Sequence, residues 1–327
     1  MLIGLLAYLP FLVIAFIAQW SDRRREMRWA TYGLFLLLDG LTALMGILAL
    51  LISYIPEAQQ VLQTQYPAAA ALHWDVFGLM VIGTALLAPV FLLPFVRRGL
   101  ARFTPITPSS SIQATALALV TLATGLNLSQ APLIGGLNEL AESSIQITSL
   151  DIITSSLPIG LLAIIGVGFL IRRTPRETGK RLGLKRITGR QVGLTVCLTL
   201  VILTLYYGIE WGWRALEPRS YALMTKLDET LYGGVKVAWQ AIAVSLVAGV
   251  TEELFFRGAL QPRFGLLPTA FLFTAVHVQY GLTPATLEVF GGALALGWLR
   301  RRTSTSACIL LHALYNIAGF LIFPLLP

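Results

Sequence analysis

The chain has 327 residues, of which 56% are hydrophobic and 12% are charged, and its formal net charge is +8. A soluble domain carries about 25% charged residues, so this composition excludes a soluble enzyme and a nucleic-acid-binding module with an exposed basic face. The two cysteines lie within apolar segments and exclude a disulfide framework. The sequence therefore predicts an all-α, polytopic membrane helix bundle of about 8–10 transmembrane helices.

Ten segments are apolar enough to be considered as membrane spans. A bilayer core of about 30 Å requires about 20 apolar residues per helix. In chain order, the predicted spans are 2–20, 30–55, 76–96, 112–129, 152–171, 192–212, 236–256, 264–280, 284–299 and 305–324. The eighth and ninth are short, so we expect tilted, partly buried or incomplete crossings there.

The basic residues predict the orientation of these spans. Lys and Arg accumulate after alternate spans, at 23–28, 97–102, 172–190, 257–263 and 300–302. The opposite loops, 56–75 and 130–151, contain none, and segment 213–235 carries both signs. Because cytoplasmic loops are the positive ones, we expect both termini outside and the odd-numbered spans to end in the cytoplasm. The segment 172–190 could also bind anionic lipid headgroups, although topology alone explains its charge.

Two adjacent carboxylates, Glu252 and Glu253, end a long apolar stretch. An ionisable residue at the centre of a membrane helix costs roughly 2.5–3.5 kcal/mol on insertion scales, so the pair needs partners or a function. Arg257 lies four residues after Glu253, on the same helix face and in the favoured orientation for an ion pair. Glu252 points about 100° away.

Glu253 and Arg257 extend a stripe of small residues. Ala241, Ser245 and Gly249 precede Glu253 at four-residue spacing, and such a stripe allows a second helix to approach closely. We therefore predict a structural ion pair at this stripe and a chemical role for the neighbouring Glu252. The alternative is that both acids are structural.

Two of the three histidines, His277 and His312, lie in apolar segments, and we expect them at a membrane depth similar to that of Glu252. If the seventh and eighth spans form a hairpin around a turn at 262–268, His277 faces Glu252. His312 lies ten residues after the last basic cluster, about 15 Å along a helix, and Asn316 follows it by one turn. We expect these four side chains to converge in one cavity that opens toward the cytoplasm.

Such a set supports hydrolysis by activated water in two ways. A carboxylate in an apolar cavity can act as a general base, while a His and an Asn four residues apart can stabilise an oxyanion. Alternatively, Glu252, His277 and His312 could ligate a divalent metal such as zinc and leave a position open for water. The sequence leaves open whether the cofactor is a metal or whether there is none.

Three motifs resemble those of one family. Residues 252–257 (EELFFR) resemble the EExxxR motif of the CAAX protease and bacteriocin-processing family (CPBP, or Abi) of intramembrane endopeptidases. Residues 273–277 (FTAVH) resemble its FxxxH motif, and residues 312–316 (HALYN) its HxxxN motif, in the same order. The resemblance covers about residues 236–320, and residues 1–190 have none.

The resemblance implies an α-helical membrane fold whose conical cavity is reached from the cytosolic side. It implies that Glu252 activates water with the help of His277. His312 and Asn316 would stabilise the oxyanion. Glu253 and Arg257 would hold the site together. The family has been described both as metalloproteases and as metal-free glutamate enzymes, and the sequence does not decide between them.

We therefore predict a multi-pass intramembrane endopeptidase, with residues 191–327 as the protease core and 1–190 as N-terminal helices of unknown role. The expected partners are the lipid bilayer and a peptide or protein substrate, prenylated or itself membrane-embedded, and no nucleic acid. One alternative is a catalytically silent scaffold or immunity protein of the same fold. Another is a transporter, because intramembrane charges also mark ion pathways.

Overall fold

A computed structural model describes residues 2–70, 72–133 and 147–322. Within these ranges the regular elements are helices and helical turns, joined by two isolated β-bridges and no strand. The predicted all-α class is therefore confirmed. Parts of the predicted loop 130–151 and of the predicted span 305–324 lie outside the described residues.

The helices are described by their bounds in chain order. They are α1 (Leu2–Ile17), α2 (Arg25–Tyr54), α3 (Pro56–Gln65), α4 (Pro67–Ala70), α5 (Trp74–Leu87), α6 (Pro94–Leu100), α7 (Ser111–Leu133), α8 (Ser149–Gly166), α9 (Pro175–Leu182), α10 (Gly189–Leu216), α11 (Pro218–Tyr232), α12 (Ala238–Glu253), α13 (Gln261–Phe264), α14 (Leu266–Ala275), α15 (Pro284–Arg302) and α16 (Thr305–Leu321). Short 3-10 turns follow α1, α5 and α14. A π-helical stretch, Leu254–Leu260, joins α12 to α13 and is called the π segment below.

Most of the predicted spans are present as long apolar helices. Six segments in the described ranges are long and apolar enough to cross a membrane: Arg25–Tyr54, Trp74–Leu92, Ser111–Ala131, Ser149–Gly166, Gly189–Leu216 and Ala238–Phe264. Three more predicted spans correspond to the shorter apolar helices Leu6–Trp20, Leu266–Ala275 and Thr305–Leu321. The remaining one is α15, which carries Glu288 within it and three arginines in its last turn. The chain is an integral membrane protein.

One boundary differs from the prediction at an informative place. The predicted span 236–256 stopped before Arg257, which was counted among the loop charges. The helical segment instead continues to Phe264, and Arg257 is buried within it. The side chain does not need water there, because it is paired inside the protein. The predicted turn at 262–268 falls at Gly265, whose φ of 90° separates α13 from α14.

The described residues cluster into two compact units. The first lies within Met1–Phe16, Ser143–Thr274 and Leu282–Pro327, and the second within Ile17–Glu142 and Ala275–Gly281. This is a division by contacts. The functional division predicted at residue 190 stays a prediction.

The second unit is held by a close helix crossing and by a polar contact at the start of α7. Helices α2 and α5 approach at Gly46 and Gly78, where a Cβ on Gly78 would lie 2.6 Å from the Gly46 carbonyl oxygen. The Asp22 carboxylate accepts hydrogen bonds from the backbone N–H groups of Ser111 and Ile112 at 2.6 and 3.1 Å. It thereby satisfies donors that the start of α7 would otherwise leave unpaired.

In the first unit α12 packs between α8 and α16. A Cβ on Gly160 of α8 would lie 2.9 Å from Thr251 Cγ2. On the other side, a Cβ on Gly249 would lie 3.3 Å from the carbonyl oxygen of Ile309 in α16. The small-residue stripe therefore allows the close helix approach that the sequence predicted, and this approach brings α16 to Glu253.

Candidate active site

The centre of the candidate site is the carboxylate of Glu253. Its Oε1 atom accepts a hydrogen bond from Arg257 Nη1 at 3.0 Å and lies 2.8 Å from His312 Nδ1. Glu253 is fully buried, Arg257 is 1% exposed and His312 is 8% exposed. The structure thus places the predicted Glu253–Arg257 pair in contact and adds His312, which the sequence had grouped with Glu252.

Arg257 has several partners in addition to Glu253. Its Nη2 donates to the carbonyl oxygen of Ala293 in α15 at 3.2 Å. Its guanidinium lies over the ring of Phe273, 4.4 Å from the centroid, and that ring packs against Phe256 at 5.0 Å. A guanidinium over an aromatic face is attracted by the ring quadrupole. These contacts join α12, α14 and α15 around one buried cation.

The π segment is held from outside by two arginines. A π-helix pairs each carbonyl with the fifth residue ahead, and such turns frequently occur at functional sites. Arg181 of α9 donates to the carbonyls of Gly258 and Ala259 at 2.8 and 3.2 Å. Arg300 of α15 donates to the carbonyl of Arg257 at 3.2 Å. From the sequence, Arg300 was assigned to membrane topology, and Arg181 to topology with lipid binding as the alternative.

Helix α9 forms because both of its ends are capped. Thr174 and Glu177 form a capping box at its N-terminus, and Gly183 ends it with a φ of 76°. Leu182 packs under the π segment, since a Cβ on Gly258 would lie 3.0 Å from its Cδ2 atom. The hydroxyl of Thr305 donates to the Leu182 carbonyl at 2.6 Å. Helix α9 therefore ties the π segment to the first turn of α16, the helix that carries His312.

Glu252 stands apart from this network. Its side chain is half-buried, whereas that of Glu253 is fully buried. Its Oε2 atom is buried without a hydrogen-bond partner among the described residues. Glu253 Oε2 is likewise without a partner among the described residues, so Glu252 is distinguished by the fact that Arg257 and His312 bond to Glu253 instead. Asn316, one turn after His312 on α16, is also half-buried.

His277 does not lie inside a helix, and this part of the prediction is wrong. Helix α14 ends two residues earlier, and His277 has a φ of −99° and a ψ of 40° before the 3-10 turn Val278–Tyr280. Gly281 follows with a φ of 59°, so the chain leaves the helix here. Residues 275–281 cluster with the second unit. The approach of His277 to the other predicted residues stays a prediction.

The metal ligand set predicted as one alternative finds no support in the geometry. In the ranges that the structure describes, no three His, Cys, Asp or Glu side chains are arranged to hold a metal ion. One nitrogen of His312 is already occupied by Glu253. We therefore derive no step through a metal, and metal dependence stays a question for experiment.

The comparisons with known proteins agree with the motifs. Residues 234–318 match the family model described as type II CAAX prenyl endopeptidase Rce1-like. This range contains all three motifs, so the resemblance is confirmed for this segment. Curated proteins and solved structures provide no match.

Proposed function

We propose that the chain is an intramembrane endopeptidase of the CAAX-protease type, which hydrolyses a peptide bond with water activated by Glu252. One observation supports this above all: the buried Glu253 carboxylate connects Arg257 to His312 beside a second carboxylate that this network does not use. The match of residues 234–318 to a peptidase family supports the same reaction class.

The hydrogen bond to Glu253 has a consequence for His312. Glu253 is paired with Arg257 and acts as an ionised acceptor, so the 2.8 Å contact is a bond donated by His312 Nδ1–H. A neutral imidazole with a proton on Nδ1 has none on Nε2. To stabilise an oxyanion, His312 must therefore be in its imidazolium form, which donates from both nitrogens.

The formal charges support this protonation state. Glu252 and Glu253 contribute two negative charges, and Arg257 and the imidazolium of His312 contribute two positive ones. The group is then neutral in sum, as an arrangement in a membrane interior requires, because isolated charges there are expensive. We infer that the active form has Glu252 ionised and His312 protonated.

In the proposed reaction, Glu252 accepts a proton from water while the water oxygen adds to the scissile carbonyl carbon. The resulting oxyanion accepts hydrogen bonds from His312 Nε2–H and from the side-chain amide of Asn316. The proton then passes from Glu252 to the leaving nitrogen as the carbon–nitrogen bond breaks. His277 assists Glu252 in this proposal. Arg257 and Glu253 act as positioning residues, because they orient His312.

We propose a peptide or protein substrate that is prenylated or itself membrane-embedded and reaches the site from the cytoplasmic side. Burial of the site within apolar helices supports a substrate that is anchored in the bilayer. A catalytically silent scaffold of the same fold stays the alternative, and it predicts no cleavage.

The test is cleavage of a membrane-peptide library, including prenylated C-termini, by the detergent-purified full chain and its variants. Glu252→Gln should lower the rate by about 10²–10⁴-fold, the usual contribution of a general base, with an unchanged melting temperature. The matched control is Glu288→Gln. Glu288 is another buried glutamate with one carboxylate oxygen that has no hydrogen-bond partner among the described residues, and its replacement should lower the cleavage rate little.

Equal losses in the two variants would contradict the assignment of Glu252. Loss of wild-type activity with a chelator, restored by zinc, would favour the metal alternative. A fully functional Glu252→Gln variant in cells, together with no cleavage in vitro, would favour the scaffold.

A further inference from the structure

Four arginines from separate parts of the chain come together beside the π segment. Arg173 follows α8, Arg181 lies in α9, Arg263 lies in α13 and Arg300 lies in α15. Arg173, Arg263 and Arg300 all lie close enough to Arg181 to repel its guanidinium. The Arg300 guanidinium lies against Gly183 at the end of α9, where a Cβ would collide with it. We call these four residues the arginine cluster.

The charge of the arginine cluster is poorly balanced within the protein. Glu177 attracts Arg173, but Arg172 adds a further positive charge beside it. Burial, followed by the three neighbouring arginines, lowers the pKa of Arg181 to about 10. Positive-inside topology explains why arginines lie at this end of the helices, but it requires only that the arginines lie on the same side of the membrane. It does not require half-buried guanidinium groups to converge on one another.

The hydrogen bonds that the cluster donates to backbone carbonyls do not use all of its N–H donors, so it can still bind an anion. Arg181 donates to two carbonyls, and Arg173 and Arg300 each donate to one. A guanidinium has five N–H donors, so each retains donors, and a carbonyl does not cancel its charge. The planar fork of arginine matches two oxygens of a phosphate group.

The position of the cluster suggests where a phosphate would come from. Arg263 is the last residue but one of the span Ala238–Phe264, and Arg173 follows the span Ser149–Gly166 by seven residues. Arginines near span ends lie at the depth of the lipid headgroups, and basic pockets between helices bind anionic headgroups.

We propose that the arginine cluster binds the phosphate of an anionic lipid headgroup. Arg181 and Arg300 also hold the carbonyls of the π segment, so the bound phosphate stabilises the segment that positions Glu253 and Arg257. Binding itself does not depend on the proposed peptidase activity and is measured without it.

The test uses the delipidated full chain in detergent micelles. Phosphatidylglycerol, phosphatidylcholine or inorganic phosphate is titrated, and thermal unfolding is followed. Phosphatidylglycerol should raise the unfolding midpoint saturably, and phosphatidylcholine should not. Arg263→Gln should need about tenfold more phosphatidylglycerol for the same effect, as expected for loss of one charge-assisted contact. Arg263→Lys keeps the charge but loses the planar guanidinium. The phosphatidylglycerol concentration that it needs should lie between those of the wild type and Arg263→Gln.

Arg301→Gln is the matched control, because it removes one exposed charge next to Arg300 at the same end of α15. It should bind phosphatidylglycerol as the wild type does. Equal weakening in Arg263→Gln and Arg301→Gln would show diffuse surface attraction and overturn the proposal. Stabilisation by millimolar inorganic phosphate without lipid would overturn the lipid source and identify a soluble phosphate ligand. No stabilisation by either would overturn the site itself.

Discussion

Replacing Arg257 by Ala tests how the candidate site is held together. The change removes the guanidinium from the fully buried Glu253 carboxylate and also removes the contact over Phe273 at 4.4 Å. Removing one partner of a buried ion pair costs about 3–5 kcal/mol, and a desolvated cation–π contact about 2 kcal/mol. Such terms are not additive, and His312 still bonds Glu253. We therefore expect a loss of about 3–5 kcal/mol.

The assay is heat- or SDS-induced unfolding in detergent, followed by far-UV circular dichroism. The double variant Glu253→Gln with Arg257→Met removes both charges and should recover at least about 2 kcal/mol of the loss. Arg302→Ala is the control, since this exposed guanidinium also lies over a ring, that of Trp298, at 5.7 Å, and should cost at most about 1 kcal/mol. Equal losses for Arg257→Ala and Arg302→Ala would refute the reasoning, as would a double variant no more stable than Arg257→Ala.

Two further predictions concern the contact between α9 and the π segment. Gly258→Ala should destabilise the protein by about 1–3 kcal/mol, because its Cβ would press on Leu182 at 3.0 Å; Gly179→Ala, with open space around it, should be neutral or stabilising in the same unfolding assay. Hydrogen bonds from the backbone N–H and the hydroxyl of Thr174 lower the pKa of Glu177. The resulting stabilisation is present at neutral pH and is lost as the pH falls through that lowered pKa. Thr174→Ala should cost about 1 kcal/mol at neutral pH. It removes the hydroxyl bond but keeps the backbone N–H bond to Glu177, so this acid-side loss should become smaller without disappearing.

Much of the fold could be predicted from the composition and from the lengths of the apolar segments. The long apolar stretches predicted helices whose cores match the observed ones, because a membrane leaves the helix as the only single-segment way to pair the backbone. The boundaries were less predictable where charge is neutralised inside the protein. Arg257 was expected to end a span, yet the helix continues past it. Its charge is paired with Glu253 one turn earlier, and its guanidinium also packs over the Phe273 ring, which only folding brings near.

The candidate site was predictable in its residues but not in its connections. Spacing of four residues identified the Glu253–Arg257 pair, because both residues lie on one helix. The bond from His312 to Glu253 crosses between helices, and single-sequence spacing does not report such register. The roles of Arg181 and Arg300 were missed for a similar reason. Their carbonyl partners lie in the π segment Leu254–Leu260, and spacing along one chain does not report which side chains of other helices reach them.

The charge state proposed for the site makes a last prediction, on pH. If Glu252 must be ionised and His312 must be an imidazolium, the rate of peptide cleavage should follow a bell-shaped profile. The acid limb reports uptake of a proton by the active charge state, and the alkaline limb reports loss of a proton from it. Because the two groups are close to other charges, the two apparent pKa values belong to the coupled set.

The shape of the wild-type pH profile separates this proposal from its rival, in which neutral His312 is the base, and Asn316→Ala is the control. The Asn316 amide does not titrate, so its loss should lower the rate by about 10²–10³-fold, as for an oxyanion donor, and leave both limbs in place. A neutral His312 that acts as a base would instead give activity that rises with pH to a plateau, with no alkaline limb. That profile in the wild type would contradict the proposal that His312 is an imidazolium in the active form. It would transfer the proton-accepting role from Glu252 to His312, and Glu253 would then hold the imidazole in the tautomer whose Nε2 is free to accept a proton.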